Sequence, residues 1–571
     1  MNKLPNRAKI DRKTPRLWDV NDLLAAVKLH GDKVAYRYFE QGELCEITFS
    51  EFYKMIIQVA AGFDKLSLSG KRVAVIGDTS PQWLATYVGA LASGAVIVPM
   101  DKELALPEID KFLQTVDAEA IVYSKSFNEK FANAADSHPT VKRFIPIIAD
   151  GEITAENILP FSSLLELGQD AIDNGYKVRS VRSRDDLAEM LFTSGTTGTS
   201  KCVMLSQTNI FSTVTSALET VCFVPEDVLV SVLPVHHTYE LMCLLAAMFL
   251  SVTVCINDSL RHVMKNFVLF KPTGLVLVPL FLNTMYKKIW SEAEKTGRDK
   301  ALKAALVISR NLMKVGIDVR KTLFKSVLDA FGGNLDHIIC GGAKLNPELI
   351  SAFEDFGISI FEGFGITECS PLVSVTPYYA RKLGAIGPSV PSCRTRIDAN
   401  GETTEEGYEI GEIQVKGDNV MLGYYNNPEA NAEVFTDDGW FRTGDIGYMD
   451  NDGYLYITGR IKFVIVLENG KNVFPEEIEE YLDTIETISE CCVIGRKNEE
   501  SGEIILTAVV YPDFSKFPKG TSEDEVKESI RKSITATNKK LPTYKQIKTV
   551  EIRKTEFEKT TTKKIKRQLV K

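Results

Sequence analysis

The segment that most constrains this chain is the run LFTSGTTGTSK at residues 191–201, in which glycines and small hydroxyl residues follow a strand-like stretch and precede a lysine. The N–H groups and hydroxyls of such a loop can surround phosphate oxygens. A Walker loop needs Gly before the lysine and Ser or Thr after it, but Ser200 and Cys202 occupy those places, and residues 202–205 have a strand pattern. The run therefore predicts a phosphate loop between two strands; a flexible linker is the plain alternative.

Strand and helix patterns alternate over the first two thirds of the chain. Arg72–Ile76 reads as a strand, Asp78-Thr79-Ser80-Pro81 as a helix start, and residues 94–99 as the next strand. Residues 241–249 and 252–256 read as a buried helix and a buried strand. Such alternation predicts an α/β fold with parallel sheets covered by helices.

The pattern of predicted secondary structure changes after about residue 370, where turn pairs such as Asn400-Gly401 and Asp452-Gly453 separate short predicted strands. This pattern predicts a small, β-barrel-like antiparallel unit. Beyond residue 459 the chain returns to mixed α/β patterns. We therefore predict a large domain at 1–459, with its β-rich subdomain at about 370–459, and a small mobile α+β domain at 460–571.

Composition excludes several classes of protein. The net charge of −9 argues against a general nucleic-acid coat, which needs a basic face. The ten cysteines form no Cys-x-x-Cys pair and there are six histidines, which disfavours a zinc site and a disulfide framework. The polar, basic N-terminus does not resemble a signal peptide, and Ser251 and Thr253 interrupt the apolar run at 241–256. We therefore expect a cytoplasmic protein with reduced thiols.

Seven further segments accompany the loop in chain order. They are LPVHHTYE at 233–240, GGAKL at 341–345, EGFGITECSP at 362–371, GEIQVKGDNVMLGYY at 411–425, DGWFRTGDIG at 438–447, GRIKFVIVLENGKNVFPEEIE at 459–479 and KTTTKKIKR at 559–567. The ordered set resembles the AMP-forming adenylate synthetases, the superfamily of acyl-CoA synthetases, firefly luciferase and peptide-synthetase adenylation domains. The amino-acid sequences of several of these segments are most similar to those of bacterial long-chain fatty-acid–CoA ligases.

The resemblance implies a nucleotide site made from several segments. Asp445 would hold the ribose hydroxyls, with Arg460 beside it, although an Asp in a Gly-rich stretch is more often a turn residue. Phe364 would offer its face to the purine, because the flanking glycines let the backbone approach closely. The complete set that the resemblance implies for ATP or AMP is Thr193, Ser194, Gly195, Thr196, Thr197, Gly198, Lys201, Gly341, Gly342, Ala343, Glu362, Gly363, Phe364, Gly365, Asp445 and Arg460.

Four residues carry the chemistry that the resemblance implies. Thr367 would contact the α-phosphate, Glu368 would hold magnesium, and His237 would lie near the substrate carboxylate. Lys564 would bridge that carboxylate and the α-phosphate, although composition alone makes residues 551–571 a solvated basic tail. Lys563 stands where the family usually has Gly, which leaves open whether Lys563 shares the role.

Two further positions are implied to act in domain movement and in access of the CoA thiol. The resemblance implies a hinge at Lys462, where Phe463 replaces the usual Asp. It also implies that Gly470 faces the pantetheine arm of CoA, although a turn glycine with positive φ would explain that residue equally well.

The implied reaction is ATP-dependent activation of a carboxylic acid, expected to be a medium- or long-chain fatty acid. The acid would form acyl-AMP with release of pyrophosphate, and CoA would then displace AMP; ATP, Mg²⁺ and CoA are the expected cofactors. The alternatives are a ligase that loads an acyl carrier protein and a catalytically silent nucleotide-binding regulator. Acyl chain length, the thiol acceptor, peripheral membrane contact and oligomeric state are left open.

Overall fold

The computed structural model describes most of the chain. The described residues are 16–131, 138, 140–149, 156–178, 183–193, 200–221, 223–468, 471–497, 503–560 and 564–570.

Two large sheets form the body of the protein, as the alternating pattern predicts. In the first, five parallel strands are extended at one edge by two antiparallel strands. Across this sheet the order is Arg143–Pro146, Ala118–Tyr123, Arg72–Ile76, Val96–Met100, Leu187–Thr193, Lys201–Ser206 and Gly423–Tyr424.

The second sheet has six parallel strands between two antiparallel edge strands. Its order is Glu43–Thr48, Val34–Glu40, Thr253–Ile256, Val228–Ser231, Gly274–Leu277, His337–Gly341, Ser359–Gly365 and Leu372–Val375.

Helices cover both faces of each sheet and give a layered α/β body. The largest core joins side chains of both sheets through the helices Val20–Leu29, Phe49–Lys65, Pro81–Ser93, Phe161–Asp173, Gln207–Thr220 and Thr238–Phe249. The outer face of the second sheet is covered by Val263–Phe270, Pro279–Lys295, Asp299–Lys314, Lys325–Asp329 and Pro347–Asp355. The outer face of the first is covered by Leu106–Thr115 and Asn128–Phe131. The short helix Arg320–Leu323, which buries none of its residues, follows Asp299–Lys314 in the chain.

Local sequence signals explain where several of these helices begin. The Ser80 hydroxyl accepts a hydrogen bond from the N–H of Trp83, and Pro81 occupies the first turn, where its missing N–H costs nothing. The helix ends at Gly94, which adopts a positive φ. The predicted helix start at residues 78–81 is therefore confirmed.

The predicted β-rich unit is an antiparallel sheet of four strands rather than a closed barrel. Its order is Cys393–Thr403, Glu409–Gly417, Phe441–Met449 and Leu455–Arg460, and the short helix Pro428–Val434 lies beside it. The Asn400-Gly401 pair is not a turn between strands: it forms a bulge inside the first strand, between Ala399 and Glu402. Gly401 permits the bulge because its φ is +89°.

The C-terminal residues have a core of their own. The strands Ile488–Lys497, Ile504–Pro512 and Thr549–Ile552 form a sheet that packs on the helices Pro475–Asp483 and Glu523–Asn538. A two-stranded ribbon, Ile465–Val466 with Asn472–Val473, precedes them. The adjacent Cys491 and Cys492 belong to two different apolar clusters, as expected for neighbours on a strand. Within the described part of the chain, no helix combines the length and apolar character needed to cross a membrane.

Candidate active site

One cleft of about 1980 Å³ brings the sequence-predicted residues together. It lies where the parallel strands of the second sheet end, which is where open α/β sheets place their ligands. The predicted residues that line it are Thr193, Lys201, His237, Gly341, Gly342, Ala343, Glu362, Gly363, Phe364, Gly365, Thr367, Glu368, Asp445, Arg460, Lys462 and Lys564. The predicted residues Ser194, Gly195, Thr196, Thr197, Gly198 and Gly470 lie outside the described residues, as does Lys563.

The phosphate loop connects two antiparallel strands, as predicted. Thr193 and Lys201 are cross-strand partners at its two ends, and the Thr193 hydroxyl donates to the Lys201 carbonyl at 3.4 Å. The loop therefore joins the ends of two neighbouring strands of the first sheet, and Lys201 lines the cleft.

Tyr424 connects this lysine to the predicted magnesium ligand. Its hydroxyl donates to Glu368 Oε1 at 2.8 Å, and its ring centroid lies 4.7 Å from Lys201 Nζ. Burial, and then the neighbouring Glu368, raise the pKa of Tyr424, so the phenol keeps its proton. Sequence reasoning missed this residue: it lies within the matched segment at 411–425, but spacing gives no sign that residues 368 and 424 meet.

The side of the cleft that is predicted to bind adenine is formed by two adjacent parallel strands. Gly341 pairs with Gly363, so the segments 341–343 and 362–365 lie side by side. Gly365 must lack a side chain, because a Cβ there would lie 1.9 Å from the carbonyl oxygen of Pro371. Phe364 is buried in the main core and also lines the cleft.

On this side of the cleft, Glu362 has a strongly raised pKa. Burial raises its pKa to about 8, and the nearby Glu480 adds to the shift, while Lys344 opposes it. Glu362 is therefore protonated at neutral pH and can donate a hydrogen bond.

Asp445 and Arg460 are direct cross-strand partners in the four-stranded sheet. The Arg460 Nε lies 2.7 Å from Asp445 Oδ1. Burial raises the pKa of Asp445, and the positive charges of Arg460 and Lys564 oppose that shift. The sequence reasoning expected these two residues to be neighbours, and the strand register explains why they are.

Lys564 reaches the cleft from the C-terminal end of the chain, close to Asp445, Arg460 and His237. Its side chain is exposed to solvent within the cleft, between the cleft walls. Desolvation by the surrounding cleft walls, and then the positive charge of Arg460, lower the pKa of Lys564 to about 8, while Asp445 opposes the shift.

Backbone contacts and one buried ion pair position Lys564. Its N–H donates to the Thr560 hydroxyl at 3.1 Å, and its carbonyl accepts from the Thr560 N–H at 2.8 Å. Three residues further on, Arg567 is held by Glu479 of the helix Pro475–Asp483 and by the carbonyl of Val493. Arg567 therefore fixes the segment to the C-terminal core, while Lys564 faces the cleft.

His237 caps the N-terminus of the helix Thr238–Phe249, which we call the wall helix. Its Nδ1 accepts from the Tyr239 N–H at 3.2 Å. Burial, and then the charges of His236 and Lys564, lower the pKa of His237 to about 3, so the ring is neutral. With Nδ1 accepting, the proton of the neutral ring is on Nε2 and can be donated to a substrate oxygen.

Contacts between the C-terminal part and the large body hold this arrangement. Lys344 Nζ lies 2.8 Å from Glu480, and Asn346 donates to the carbonyl of Glu480 at 3.1 Å. Lys287 Nζ donates to the carbonyl of Ile488 at 2.9 Å. These contacts hold the C-terminal part in the orientation that leaves Lys564 beside Asp445.

The residues present fit a magnesium ion bound together with a nucleotide. No group of three or more His, Cys, Asp or Glu side chains that could hold a metal occurs among the described residues. Glu368, which accepts from Tyr424 beside Lys201, offers a carboxylate to the cleft near the end of the phosphate loop. A carboxylate near a phosphate site matches the coordination preference of Mg²⁺, which binds one or two protein carboxylates and completes its coordination shell with phosphate oxygens and water.

An apolar arm of the cleft extends from His237 along the wall helix. It is lined by Ala217, Leu218, Val221, Phe223, Leu229, Val232, Leu233, Met242, Cys243, Ala246, Ala247, Leu250, Ile256, Val278 and Phe281. Glu240 also lines it, but burial raises the pKa of this carboxyl to about 8 against the opposing effect of the hydrogen bond from Ser231, so the arm is uncharged at neutral pH. We call this part of the cleft the acyl arm.

Two family models cover almost the whole chain. The model described as AMP-binding enzyme matches residues 23–425, and the model described as AMP-binding enzyme C-terminal domain matches residues 462–571. The chain belongs to the AMP-binding enzyme family. It is an AMP-forming acid–thiol ligase, a class whose substrates include ATP and CoA.

Individual relatives differ in the acid that their names specify. The long-chain-fatty-acid–CoA ligase FadD15 of Mycobacterium bovis is 29% identical over 494 residues, covering 83% of this chain and 79% of the relative. A feruloyl-CoA synthase of an Amycolatopsis species is 30% identical over 478 residues, covering 82% and 84%. The ATP-bound crystal structure of MatB from Rhodopseudomonas palustris is 25% identical, with a TM-score of 0.70 over 97% of this chain and 98% of MatB.

Proposed function

We propose that this ligase activates a medium- or long-chain fatty acid, first to acyl-AMP and then to acyl-CoA. The observation that carries the proposal is the acyl arm, which is apolar, uncharged at neutral pH and continuous with the nucleotide half of the cleft. Small side chains at Ala217, Ala246 and Ala247 leave space along it. An alkyl chain loses its contact with water in such an arm, which supplies about 0.8 kcal/mol per buried CH₂ group.

In the first half-reaction a carboxylate oxygen attacks the α-phosphorus of ATP, and the bond to pyrophosphate breaks. Lys564 and Lys201 would offset the negative charge on the crowded oxygens, and the Nε2–H of His237 would donate a hydrogen bond to the carboxylate without transferring its proton. Asp445 and Arg460 would orient the ribose. Glu368 would hold Mg²⁺, which supplies charge stabilisation on the phosphates when it is bound.

In the second half-reaction the sulfur of CoA attacks the acyl carbon, and AMP leaves. Lys564 stands in the nucleotide half of the cleft, so we propose that the C-terminal part rotates about Lys462 after adenylation and withdraws it. Separating Lys344 from Glu480 would permit this movement. The part assigned to Gly470, leaving room for the pantetheine arm, stays a prediction.

Two other substrate assignments are distinguishable from this one. Aromatic acids, which the names of several relatives specify, would fill the arm near His237 and leave its far end at Ala246 and Leu250 empty. A carrier-protein acceptor would use the same adenylation residues and differ in the thiol alone. A silent regulator would bind ATP without releasing pyrophosphate.

The deciding experiment measures AMP release with ATP, Mg²⁺ and CoA across carboxylic acids from acetate to stearate, with 4-coumarate and ferulate included. We expect kcat/KM to rise with chain length to a medium- or long-chain optimum. An optimum at an aromatic acid would overturn the fatty-acid assignment. Replacing CoA by an acyl carrier protein bearing its pantetheine thiol tests the acceptor, because a carrier-loading ligase would prefer the carrier.

A further inference from the structure

A strongly basic segment stands out on this acidic protein. Residues 295–325 contain nine Lys and Arg and two Asp and Glu, a net charge of +7 in a chain whose total is −9. Three of the basic residues form ion pairs, Arg310 with Asp355, Arg320 with Asp318 and Lys325 with Asp329. Among the described residues, no carboxylate pairs with the exposed Lys295, Arg298, Lys300, Lys314 and Lys321. Much of the positive charge is therefore uncompensated.

Apolar side chains share the surface of this segment. Its main element is the helix Asp299–Lys314, which we call the basic helix. The inner face packs Leu302, Ala305 and Leu306 against the core of the second sheet. On the outer side Val307 is 58% exposed and Ile308 is 51% exposed.

The exposed apolar surface continues past the end of the basic helix. Val315 is 70% exposed and Ile317 is 51% exposed. Together with Val307 and Ile308 they are four solvent-exposed large apolar side chains within eleven residues, and Arg310 and Lys314 lie between them in the sequence. Basic and apolar groups on one outer surface are the pattern of a helix that lies on an anionic membrane.

The position of the basic helix relates this surface to the acyl arm. The preceding helix, Pro279–Lys295, lines the cleft with Leu280, Phe281 and Thr284 near its start. Three residues join it to the basic helix, and the two helices are in contact, so the chain turns back in an antiparallel hairpin. The end of the basic helix, with Val315 and Ile317, therefore returns towards the end of the hairpin that lines the cleft.

We propose that the basic helix and residues 315–321 dock this ligase on an anionic lipid surface. Val307, Ile308, Val315 and Ile317 would enter the boundary between head groups and acyl chains, while the unpaired lysines and Arg298 contact lipid phosphates. The proposal rests on the proposed function for its purpose, since fatty acids partition into membranes. Its test does not depend on turnover.

Vesicle co-sedimentation without ATP, acid or CoA tests the proposal. We expect the protein to bind vesicles of phosphatidylcholine with phosphatidylglycerol, to bind phosphatidylcholine vesicles much more weakly, and to be released by salt. The double variant Lys300→Gln/Lys314→Gln should weaken binding by about fivefold per removed charge. Val307→Ser/Ile308→Ser should weaken it by about tenfold.

Matched controls change the same chemistry elsewhere. Lys527→Gln/Lys539→Gln removes two exposed lysines from the helix Glu523–Asn538 and the residue after it, and Leu29→Ser removes an apolar side chain that is 84% exposed. Both controls should bind vesicles like the wild type. Melting temperatures of all variants verify folding, and the charge variant carries the test if the apolar variant is unstable.

Three outcomes would overturn the proposal. The first is no binding to anionic vesicles, and the second is equal losses in helix variants and controls. The third is a wild-type oligomer, seen by light scattering, that Val307→Ser/Ile308→Ser disperses without changing vesicle binding; this face would then cover a second copy of the chain. Vesicle binding combined with a preference for aromatic acids would refute the proposed substrate and leave the docking surface standing.

Discussion

Two parts of the cleft differ in how they are built: the acyl arm, and the part that carries the residues predicted to bind ATP, which we call the nucleotide half. Lys201, Glu368, Asp445 and Lys564 come from four distant segments, and the last belongs to the C-terminal part. The acyl arm instead is lined by the wall helix and its neighbours, whose side chains are part of the largest core. The nucleotide half is formed by charged side chains from separate segments, whereas the acyl arm is continuous with the hydrophobic core.

Because of this difference, we expect substitutions in the two parts of the cleft to affect reaction rate and folding stability differently. The charged half is completed by polar contacts such as Lys344 with Glu480, which can break and re-form without exposing apolar surface. The acyl arm cannot rearrange so easily, because its walls are close-packed. We therefore expect substitutions in the nucleotide half to affect rates with little loss of stability, and those in the arm to affect substrate choice and stability together.

The largest effect is expected for Lys564→Ala. Adenylation, measured by pyrophosphate release, should fall by about 10³-fold because a positive charge at the α-phosphate is lost. Thioester formation from supplied acyl-AMP should be largely kept, and the melting temperature should not change. Lys554→Ala removes an exposed lysine of the same terminal segment and serves as the control. Equal losses in both half-reactions would contradict the assignment of Lys564 to the first step.

Ala246→Phe should produce the next largest effect, in the acyl half. A phenyl ring on the wall helix would fill the arm and lower kcat/KM for palmitate by about 10²-fold, while shorter acids keep most of their activity. Some loss of melting temperature should accompany it, because the site is close-packed. Met248→Leu changes a buried residue of the same helix that does not line the cleft. An unchanged chain-length profile for Ala246→Phe would place the acyl chain elsewhere.

Tyr424→Phe should have a smaller effect, confined to metal dependence. Loss of the hydroxyl leaves Glu368 without its 2.8 Å donor, so the Mg²⁺ concentration needed for half-maximal adenylation should rise by about tenfold. Glu368→Gln should raise it further, because a ligand itself is lost. The neighbouring Tyr425→Phe is the matched control. If both tyrosine variants titrate with Mg²⁺ like the wild type, Tyr424 does not position Glu368.

The smallest effect concerns pH. The pKa of Lys564 is lowered to about 8, so raising the pH through this value removes its positive charge in the free enzyme. The kcat/KM of adenylation should therefore be about half its plateau near pH 8 and decline above it. Lys564→Arg stays charged at that pH and should show a lower plateau without the decline. A wild-type profile that is flat up to pH 10 would contradict this assignment of the decline to Lys564.

Much of the architecture follows from local patterns in the sequence. Alternating strands and helices, the Ser80-Pro81 helix start and the strands on either side of the phosphate loop are set by interactions within a few residues, and the structure has them as predicted. The Asn400-Gly401 pair shows the limit of such reasoning. A turn and a bulge need the same positive φ, and long-range strand pairing selects the bulge.

The sequence by itself determined which side chains of this protein carry charge and which segments carry the family's motifs. Only the tertiary structure decided which of them meet. Tyr424 joins Glu368 to Lys201 because its short strand pairs with the one that begins at Lys201, a pairing that spans more than two hundred residues. The pKa of His237, Glu240 and Lys564 also depends on burial, which chain-distant neighbours create. Such effects arise from three-dimensional proximity, and residue order does not encode them locally.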